Sequence, residues 1–258
     1  MTDPSEIAVR PSGTAPYLRA VAECFHRRPD AAGILQGVRP MRQGVPHTRI
    51  VLVPSSKNGG TIACEGRLEA ALAKNLEIDP FAARFRGQPF SMPGPMSRKV
   101  VCDFAVQQSD GIYLVVDVKP SGQLASARVA ERMRHVRSLL ADSFVPHRIV
   151  TELDLERQPA RQIRDQLWKG VDAPVTAHQR DGLLGFVRRG PVTVGQAREF
   201  CRSERLPVFA IEKLVIRNFL SFEINAPWGS KTLIGDRHES HSSARAVWGS
   251  VQDVVVRL

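Results

Sequence analysis

The alternation of apolar and polar residues predicts helices and strands in a regular order over the first two thirds of the chain. In some segments apolar residues recur every three or four positions, which favours a helix, and in others at every second position, which favours a strand. The helical segments are 17–26, 64–77 and 125–142, and the strand-like segments are 48–53, 99–106, 112–118 and 147–151. The order of strand, helix, hairpin, helix and strand predicts an α/β core with a mixed central sheet.

Turn sequences separate several of these segments. Asp110-Gly111 lies between the segments 99–106 and 112–118, where Asp-Gly favours a hairpin. Asp79-Pro80 follows the helix predicted at 64–77 and ends it, because a proline disfavours helical backbone at the preceding residue. Segment 81–97, which contains Gln88-Pro89-Phe90 and two further prolines, is expected to form a loop or short strands.

The last third of the chain has a different pattern, in which helices come before a small pair of strands. Thr193 is a candidate N-terminal cap for one of the helices. The predicted helices are 160–168, 177–188, one that begins near 192 and 207–218, and the predicted strands are 219–225 and 231–234. Helices followed by a small hairpin are typical of winged-helix modules, so we expect a second, smaller and mainly α unit.

Composition limits the class of protein. The chain has 258 residues, of which 43% are hydrophobic, and it contains no apolar run of the roughly 18 residues that a membrane helix needs. Its first residues lack the apolar segment of a signal peptide, which predicts a soluble, cytoplasmic protein without a membrane partner. The four cysteines form no CxxC pair, so buried free thiols are expected rather than disulfides or a zinc site.

The charge of the chain favours a polyanionic partner. The net charge is +10, and only seven of the 36 basic residues are lysine. Arginine binds phosphate with two parallel hydrogen bonds, so this excess of arginine points to nucleic acid. The alternative is that the arginines reflect the base composition of the genome and lie on an ordinary solvated surface.

Polar residues at the end of the segment 112–118 suggest chemistry. Asp117 and Lys119 are two positions apart on a strand, so they share a face, whereas the neighbouring valines turn to the core. Burying such charges costs free energy unless they pair or bind a ligand. Asp103 lies in the preceding strand-like segment, and pairing of the two strands is expected to bring both acids within reach of one metal ion.

A third acid, Glu69, lies at the edge of the apolar stripe of the helix predicted at 64–77. Three carboxylates suit Mg²⁺, an oxygen-seeking cation that polarises phosphoryl oxygens and activates water. A lysine beside a metal ligand can orient that water or offset negative charge in the transition state. Any one of these acids alone could equally form a surface salt bridge, but a helix acid, a strand acid and an Asp-x-Lys in this order are much rarer.

This order of residues resembles the PD-(D/E)xK nuclease superfamily, and several short sequences are similar to the TnsA endonuclease family, whose members cut the 5′ ends of bacterial transposons. The likeness covers about residues 45–170. The sequences that carry it are Gly66-Arg-Leu-Glu69, Asp79-Pro80, Gln88-Pro89-Phe90, Cys102-Asp-Phe-Ala-Val106, Asp117-Val-Lys-Pro120, Pro146-His-Arg-Ile-Val150 and Thr151-Glu-Leu-Asp154.

The resemblance implies roles for these residues. Glu69, Asp103 and Asp117 would be ligands of Mg²⁺, with Mn²⁺ as a substitute, and Lys119 would be the catalytic lysine. Glu65 is the rival to Glu69, which is favoured because the family pattern places a leucine immediately before the acid. Gln88 would support the site or touch DNA, although capping a loop is the simpler interpretation.

The resemblance also implies an organisation and partners. The fold would be a restriction-endonuclease-like core with a mixed sheet, followed by a smaller winged-helix-like domain. The expected boundaries are a basic N-terminal extension at 1–47, the nuclease domain at 48–158, the winged-helix-like domain at 159–235 and a tail at 236–258. The partners would be double-stranded DNA, a TnsB-like transposase and a TnsC-like ATPase.

Two other functions stay open from the sequence. One is a stand-alone restriction, repair or phage-defence endonuclease, which uses the same chemistry in another setting. The other is a non-catalytic DNA-binding or assembly factor that keeps a nuclease-like fold. The presence of all four charged residues argues against the second, because an inactive descendant is expected to lose such costly buried charges first.

Overall fold

The computed structural model describes residues 15–39, 41, 49–95, 98–222 and 226–237. In these ranges helices pack on mixed sheets, so the predicted α/β class is confirmed. None of the helices there has the length and apolar character needed to cross a membrane. The predicted tail is described only as far as residue 237, and the first 14 residues of the predicted extension also lie outside these ranges.

Within these described ranges the strands form four small sheets. They are β1 (Ile34–Leu35), β2 (Ile50–Ser55), β3 (Gly60–Glu65), β4 (Ala82–Gly87), β5 (Ser91–Pro93), β6 (Lys99–Val101), β7 (Phe104–Gln108), β8 (Tyr113–Val118), β9 (His147–Val150), β10 (Val192–Thr193), β11 (Leu220–Phe222) and β12 (Leu233–Asp236). The strand orders are β1-β3-β2, β4-β7-β8-β9, β5-β6 and β10-β12-β11.

The predicted helices are present with shifted ends, and two short helices that the sequence did not predict, Ser121–Leu124 and Glu152–Leu155, lie between them. The helices are α1 (Pro16–Cys24), α2 (Arg67–Ile78), α3 (Ser121–Leu124), α4 (Ala127–Ala141), α5 (Glu152–Leu155), α6 (Ala160–Leu167), α7 (Ala177–Val187), α8 (Val194–Ser203) and α9 (Ala210–Ile216). A short 3₁₀ helix follows α6 at Trp168–Gly170. The helix predicted at 207–218 is therefore shorter at both ends, because Pro207 and the residues after it form a turn.

The central sheet combines antiparallel and parallel pairing. Strands β4, β7 and β8 are antiparallel neighbours, and β8 is parallel to β9, which the chain reaches through α4. The predicted hairpin is confirmed, with Phe104 opposite Val116. Alternate residues of β7 and β8 pack on opposite faces: Phe104 and Val116 belong to the apolar cluster around α2, and Ala105 and Val115 to the cluster around α1 and α4.

The sequence prediction was wrong about the start of the second helix. Cys64 and Glu65, placed at the beginning of a helix at 64–77, belong to strand β3, which pairs with β2. The strand ends before Gly66, where the backbone changes direction. Gly66 has a φ of 102°, an angle that residues with a side chain rarely adopt. The helix begins only at Arg67, so Glu69 lies in its first turn.

The strand predicted at 99–106 is in fact two strands. Residues Lys99–Val101 form β6 and pair with β5, whereas Phe104–Gln108 form β7 and pair with β4 and β8. The apolar alternation continues through the break, so the pattern alone could not reveal the change of partner. As a result, Asp103 lies at the junction where the chain passes from one sheet to another.

The segment before residue 48 contributes to this core where it is described. Helix α1 contacts α4 and β8, and its Val21 and Cys24 are buried in the cluster around α4. Strand β1 pairs in parallel with β3. All four cysteines are buried free thiols, as the sequence predicts.

The C-terminal segment packs against the core through α9, which contacts α2 and α6. The Thr193 cap is confirmed: the side chain accepts a hydrogen bond from the backbone N–H of Gln196 at 3.2 Å, and α8 begins at the next residue. The predicted strands are shorter or shifted, and the end of the one predicted at 219–225 lies outside the described residues.

Candidate active site

The structure brings Asp103, Asp117 and Lys119 together at the end of β8. The Nζ atom of Lys119 lies 2.5 Å from Oδ2 of Asp103 and 3.5 Å from Oδ1 of Asp117. The three side chains are almost enclosed, since 11% of Lys119, 12% of Asp103 and 2% of Asp117 is exposed. The Asp-x-Lys pattern and the hairpin predict these three residues close together, with a metal ion beside the two carboxylates, whereas in the structure it is the lysine that lies next to both of them.

Backbone hydrogen bonds hold Asp103 in this position. The backbone N–H of Val118 donates to Oδ2 of Asp103 at 2.7 Å, which ties the carboxylate to the end of β8. On the other side the backbone N–H of Gln88 donates to the carbonyl oxygen of Asp103 at 2.8 Å. Asp103 is thus fixed by the two strands that flank β7, although it lies outside the regular part of β7 itself.

Glu69 approaches the same region from the first turn of α2. Its Oε2 accepts a hydrogen bond from the backbone N–H of Glu65 at 2.7 Å, so the side chain points back toward the start of the helix. Burial and then the negative charge of Asp103 raise the pKa of Glu69 to about 8. The charge of Asp103 therefore reaches Glu69, and the place of Glu69 in one site with the aspartates stays a prediction.

Glu65, the rival to Glu69, has a different environment. Its carboxylate accepts a hydrogen bond from Nε2 of Gln88 at 3.0 Å and lies 3.4 Å from Arg39. The side chain of Glu65 is about a third exposed. Gln88 itself is buried and has a φ of 44°. Among the described residues, its side chain forms a hydrogen bond with Glu65 and with none of the four predicted site residues, so its support of the site stays a prediction.

The charges of the cluster act on one another. Burial and the neighbouring Asp117 raise the pKa of Asp103 to about 6, although Lys119 opposes this effect. Burial alone would also raise the pKa of Asp117, but a hydrogen bond from His147 and the charge of Lys119 lower it. Burial would lower the pKa of Lys119, yet the two aspartates raise it. Lys119 is therefore an ammonium at neutral pH.

His147 is a site residue that sequence reasoning missed. Its Nε2 lies 2.8 Å from Oδ2 of Asp117, and its side chain is 1% exposed. Because the carboxylate can only accept, Nε2–H is the donor. The signal lay in the parallel register of β8 and β9, which places His147 beside Val115, two residues before Asp117. No pattern in the sequence fixes that register.

We expect His147→Ala to lower the free energy of unfolding at pH 7 by about 1.5–3 kcal/mol, because the buried Asp117 loses a charge-assisted hydrogen bond. This stabilisation exists above the ordinary carboxyl range and is lost as the pH falls through the lowered pKa of Asp117. Urea unfolding at pH 7 measures the effect. His135→Ala is the matched control, because His135 makes a single hydrogen bond, to the carbonyl oxygen of Pro93, at the surface. Equal losses for both variants would contradict this role.

The acids fit a hard divalent cation in their chemistry. Glu69, Asp103 and Asp117 offer only oxygen donors, and burial is the main cause of the raised pKa values of Glu69 and Asp103. As the side chains stand, however, the described residues contain no group of three His, Cys, Asp or Glu positioned to hold one ion. Lys119 supplies the positive charge next to Asp103 instead.

Comparison with known proteins gives no assignment: no family model matches the chain, and no curated protein matches it.

Proposed function

We propose that this protein is a metal-dependent endonuclease that hydrolyses phosphodiester bonds of double-stranded DNA. The observation that carries the proposal is the enclosed cluster in which Lys119 lies 2.5 Å from Asp103 and 3.5 Å from Asp117. The charges of Asp103 and Lys119 also affect the pKa of Glu69. A net charge of +10 supports a polyanionic substrate.

Glu69, Asp103 and Asp117 would hold Mg²⁺ or Mn²⁺. The ion would supply Lewis-acid polarisation of a phosphoryl oxygen and neutralise charge that develops during hydrolysis. His147 keeps Asp117 ionised and oriented, because its hydrogen bond opposes the effect of burial on the pKa of that carboxyl. His147 is thus a positioning residue, which acts through Asp117.

Lys119 would act as a donor of hydrogen bonds and positive charge. Burial would lower the pKa of Lys119, but the two aspartates raise it, so the role proposed for Lys119 is that of a protonated donor and not of a general base. An ammonium in this enclosed position can orient a water molecule or stabilise the charge on a phosphoryl oxygen, and both effects are strongest where bulk water is excluded.

The proposal also includes the fold of the two units and the role of the protein in transposition. A restriction-endonuclease-like core is supported by a mixed sheet with α2 on one face and the α4 crossover between β8 and β9. A winged-helix-like second unit is supported by the order α7, β10, α8, α9, β11, β12, in which β12 pairs with both other strands. In this setting a TnsA-like cutter acts at 5′ transposon ends with a TnsB-like transposase and a TnsC-like ATPase.

One observation favours a second candidate, a non-catalytic DNA-binding factor. The ion pair with Lys119 compensates the charge of Asp103 without a metal ion. In addition, no three of the described acids are placed so that they could hold one ion together. The enclosure of Asp103, Asp117 and Lys119 weighs against this candidate, since a scaffold without chemistry gains nothing from burying these charges. A stand-alone nuclease would share the site and differ only in its partners.

The test is cleavage of supercoiled plasmid and linear duplex by the purified protein, alone and with the proposed transposase and ATPase. We expect cleavage in Mg²⁺ or Mn²⁺ and none after removal of divalent ions with EDTA. Calorimetry with Mn²⁺ gives an independent readout, in which Asp117→Asn should weaken binding. Cleavage that persists in EDTA, or the absence of divalent-ion binding by the folded protein, would refute the proposal.

A further inference from the structure

A cleft of about 460 Å³ lies between the β5–β6 hairpin and the start of α4. Its basic side chains come from two separate elements, with Arg98 and Lys99 on the hairpin side and Arg128 and Arg132 on the helix. Among the described residues that line the cleft, Glu131 is the acid. Four cations against one acid make this concave surface strongly positive.

The four cations of this cleft are not used in ion pairs. None of them forms a salt bridge with another residue in the part of the chain that is described, and the Nε atom of Arg132 is buried there without a hydrogen-bond partner. A larger cleft of about 620 Å³ beside α2 is different, because Arg161 and Arg164 are paired there with Glu156 and Asp165. The larger cleft also contains Arg49, Arg67 and Lys74, so five cations against two acids give it the same net charge of +3 as four cations against one acid give the first. The first cleft differs in that all four of its cations are outside the ion pairs formed by the described residues.

The start of α4 adds to this field. Ser126 is the N-terminal cap of this 15-residue helix, but its side chain makes no capping hydrogen bond, and the first turn contains no acid. Arg128 lies in that turn instead, which places a positive charge at the positive end of the helix dipole. A bound anion would compensate the missing cap and the positive charge of Arg128, because the N–H groups at the start of a helix point toward such a ligand.

The cleft is next to the candidate active site. Helix α3 begins at Ser121, two residues after Lys119, and Gln123 of that helix lines the cleft. The charge of Arg132 is close enough to act on the ammonium of Lys119. A chain of phosphates that lies in the cleft would therefore continue toward Asp103 and Lys119.

We propose that this cleft binds phosphates of the DNA backbone adjacent to the phosphodiester that is cut. This inference rests on the proposed function and adds to it the surface that holds the substrate. A polymer fits better than a small anion, because the cations come from both walls of a cleft much larger than one phosphate group. Arginine forks suit phosphate oxygens, and such contacts position DNA without reading its sequence.

The experiment compares two double variants by fluorescence anisotropy with a labelled 30-base-pair duplex, in Ca²⁺ to suppress cleavage. Arg98→Ala/Arg128→Ala removes two exposed cations of the cleft. Arg134→Ala/Arg137→Ala is the matched control, because it removes two exposed arginines of α4 that do not line the cleft. Both variants lose the same net charge.

We expect the cleft variant to bind about tenfold more weakly at roughly 0.1 M salt, and the slope of log K against log salt to decrease by up to about 1.8, or about 0.9 for each lost phosphate contact. The control should stay within about twofold of the unaltered protein. An unlabelled duplex should displace the probe far better than polyglutamate of equal charge.

Other results would overturn the inference. Equal weakening of both variants would mean that only diffuse charge matters, and no weakening of the cleft variant would place DNA elsewhere. Displacement of the probe by polyglutamate as readily as by duplex would point to an acidic protein partner. Each of these outcomes leaves Mg²⁺-dependent cleavage by the unaltered protein intact, so it is distinguishable from failure of the proposed function.

Discussion

Lys119→Ala is expected to slow DNA cleavage by about 10²–10³-fold, the usual cost of removing one pre-positioned donor that stabilises charge in a transition state. The reason lies in the enclosure of the ammonium, which is 11% exposed and close to both Asp103 and Asp117. Water cannot easily replace it there. The rate constant is measured under single-turnover conditions with saturating Mg²⁺ and DNA, which separates the chemical step from binding.

The control for this variant is Lys169→Ala, which removes an exposed lysine whose Nζ donates to Gln166. It should cleave at the rate of the unaltered protein. Circular dichroism and DNA binding are measured on both variants, since a lost fold would also abolish cleavage. A folded, DNA-binding Lys119→Ala protein that cleaves within about threefold of the normal rate would show that the lysine has no chemical role.

In buffer without divalent ions, the free energy of unfolding should fall as the pH rises from about 5 to 8. Folding raises the pKa of Glu69 from 4.5 to about 8, so in this window the folded protein holds a proton that the unfolded chain has lost. The state with more protons is favoured at low pH, hence stability decreases with pH. One proton corresponds to a slope of at most about 1.4 kcal/mol per pH unit.

Glu69→Gln removes this titrating carboxyl group, so the free energy of unfolding of the variant should depend less on pH. Glu204→Gln, which changes an exposed glutamate at the end of α8, should not have this effect. Addition of Mg²⁺ should reduce the loss of stability near pH 8 in the unaltered protein, because a cation that binds the ionised carboxylates stabilises the folded state. The measurement is urea unfolding at several pH values. A slope that is the same with and without Glu69 would contradict the assignment of this residue to the charged cluster.

The part of the site that the sequence predicted well depends on local regularities. The two-residue period of a strand places Asp117 and Lys119 on one face, and Asp110-Gly111 identifies the hairpin that brings Asp103 alongside. Those signals act over a few residues and need no knowledge of the rest of the fold. The same holds for Thr193, whose capping role depends only on Gln196 three positions later.

The features that the sequence did not reveal depend on contacts between distant segments. The apolar pattern predicts Cys64 and Glu65, the last two residues of β3, as the start of a helix, because they run directly into the helical pattern of α2 and only Gly66 separates them. His147 lies 30 residues from Asp117, and its role follows from the register of β8 and β9. Likewise, the basic cleft joins a hairpin and a helix start that no sequence spacing connects.

Asp103 lies between two sheets, so its position depends on the packing of both of them. Its carboxylate is aligned by β8, yet the chain enters it from the β5–β6 hairpin, whose Met92 and Val100 are buried directly opposite each other. Small losses of packing at Met92 or Val100 would shift one acid relative to the other two while leaving all four charged side chains present. Inactivating substitutions are therefore expected in this hairpin, and a screen that looks only for altered charged residues would overlook them.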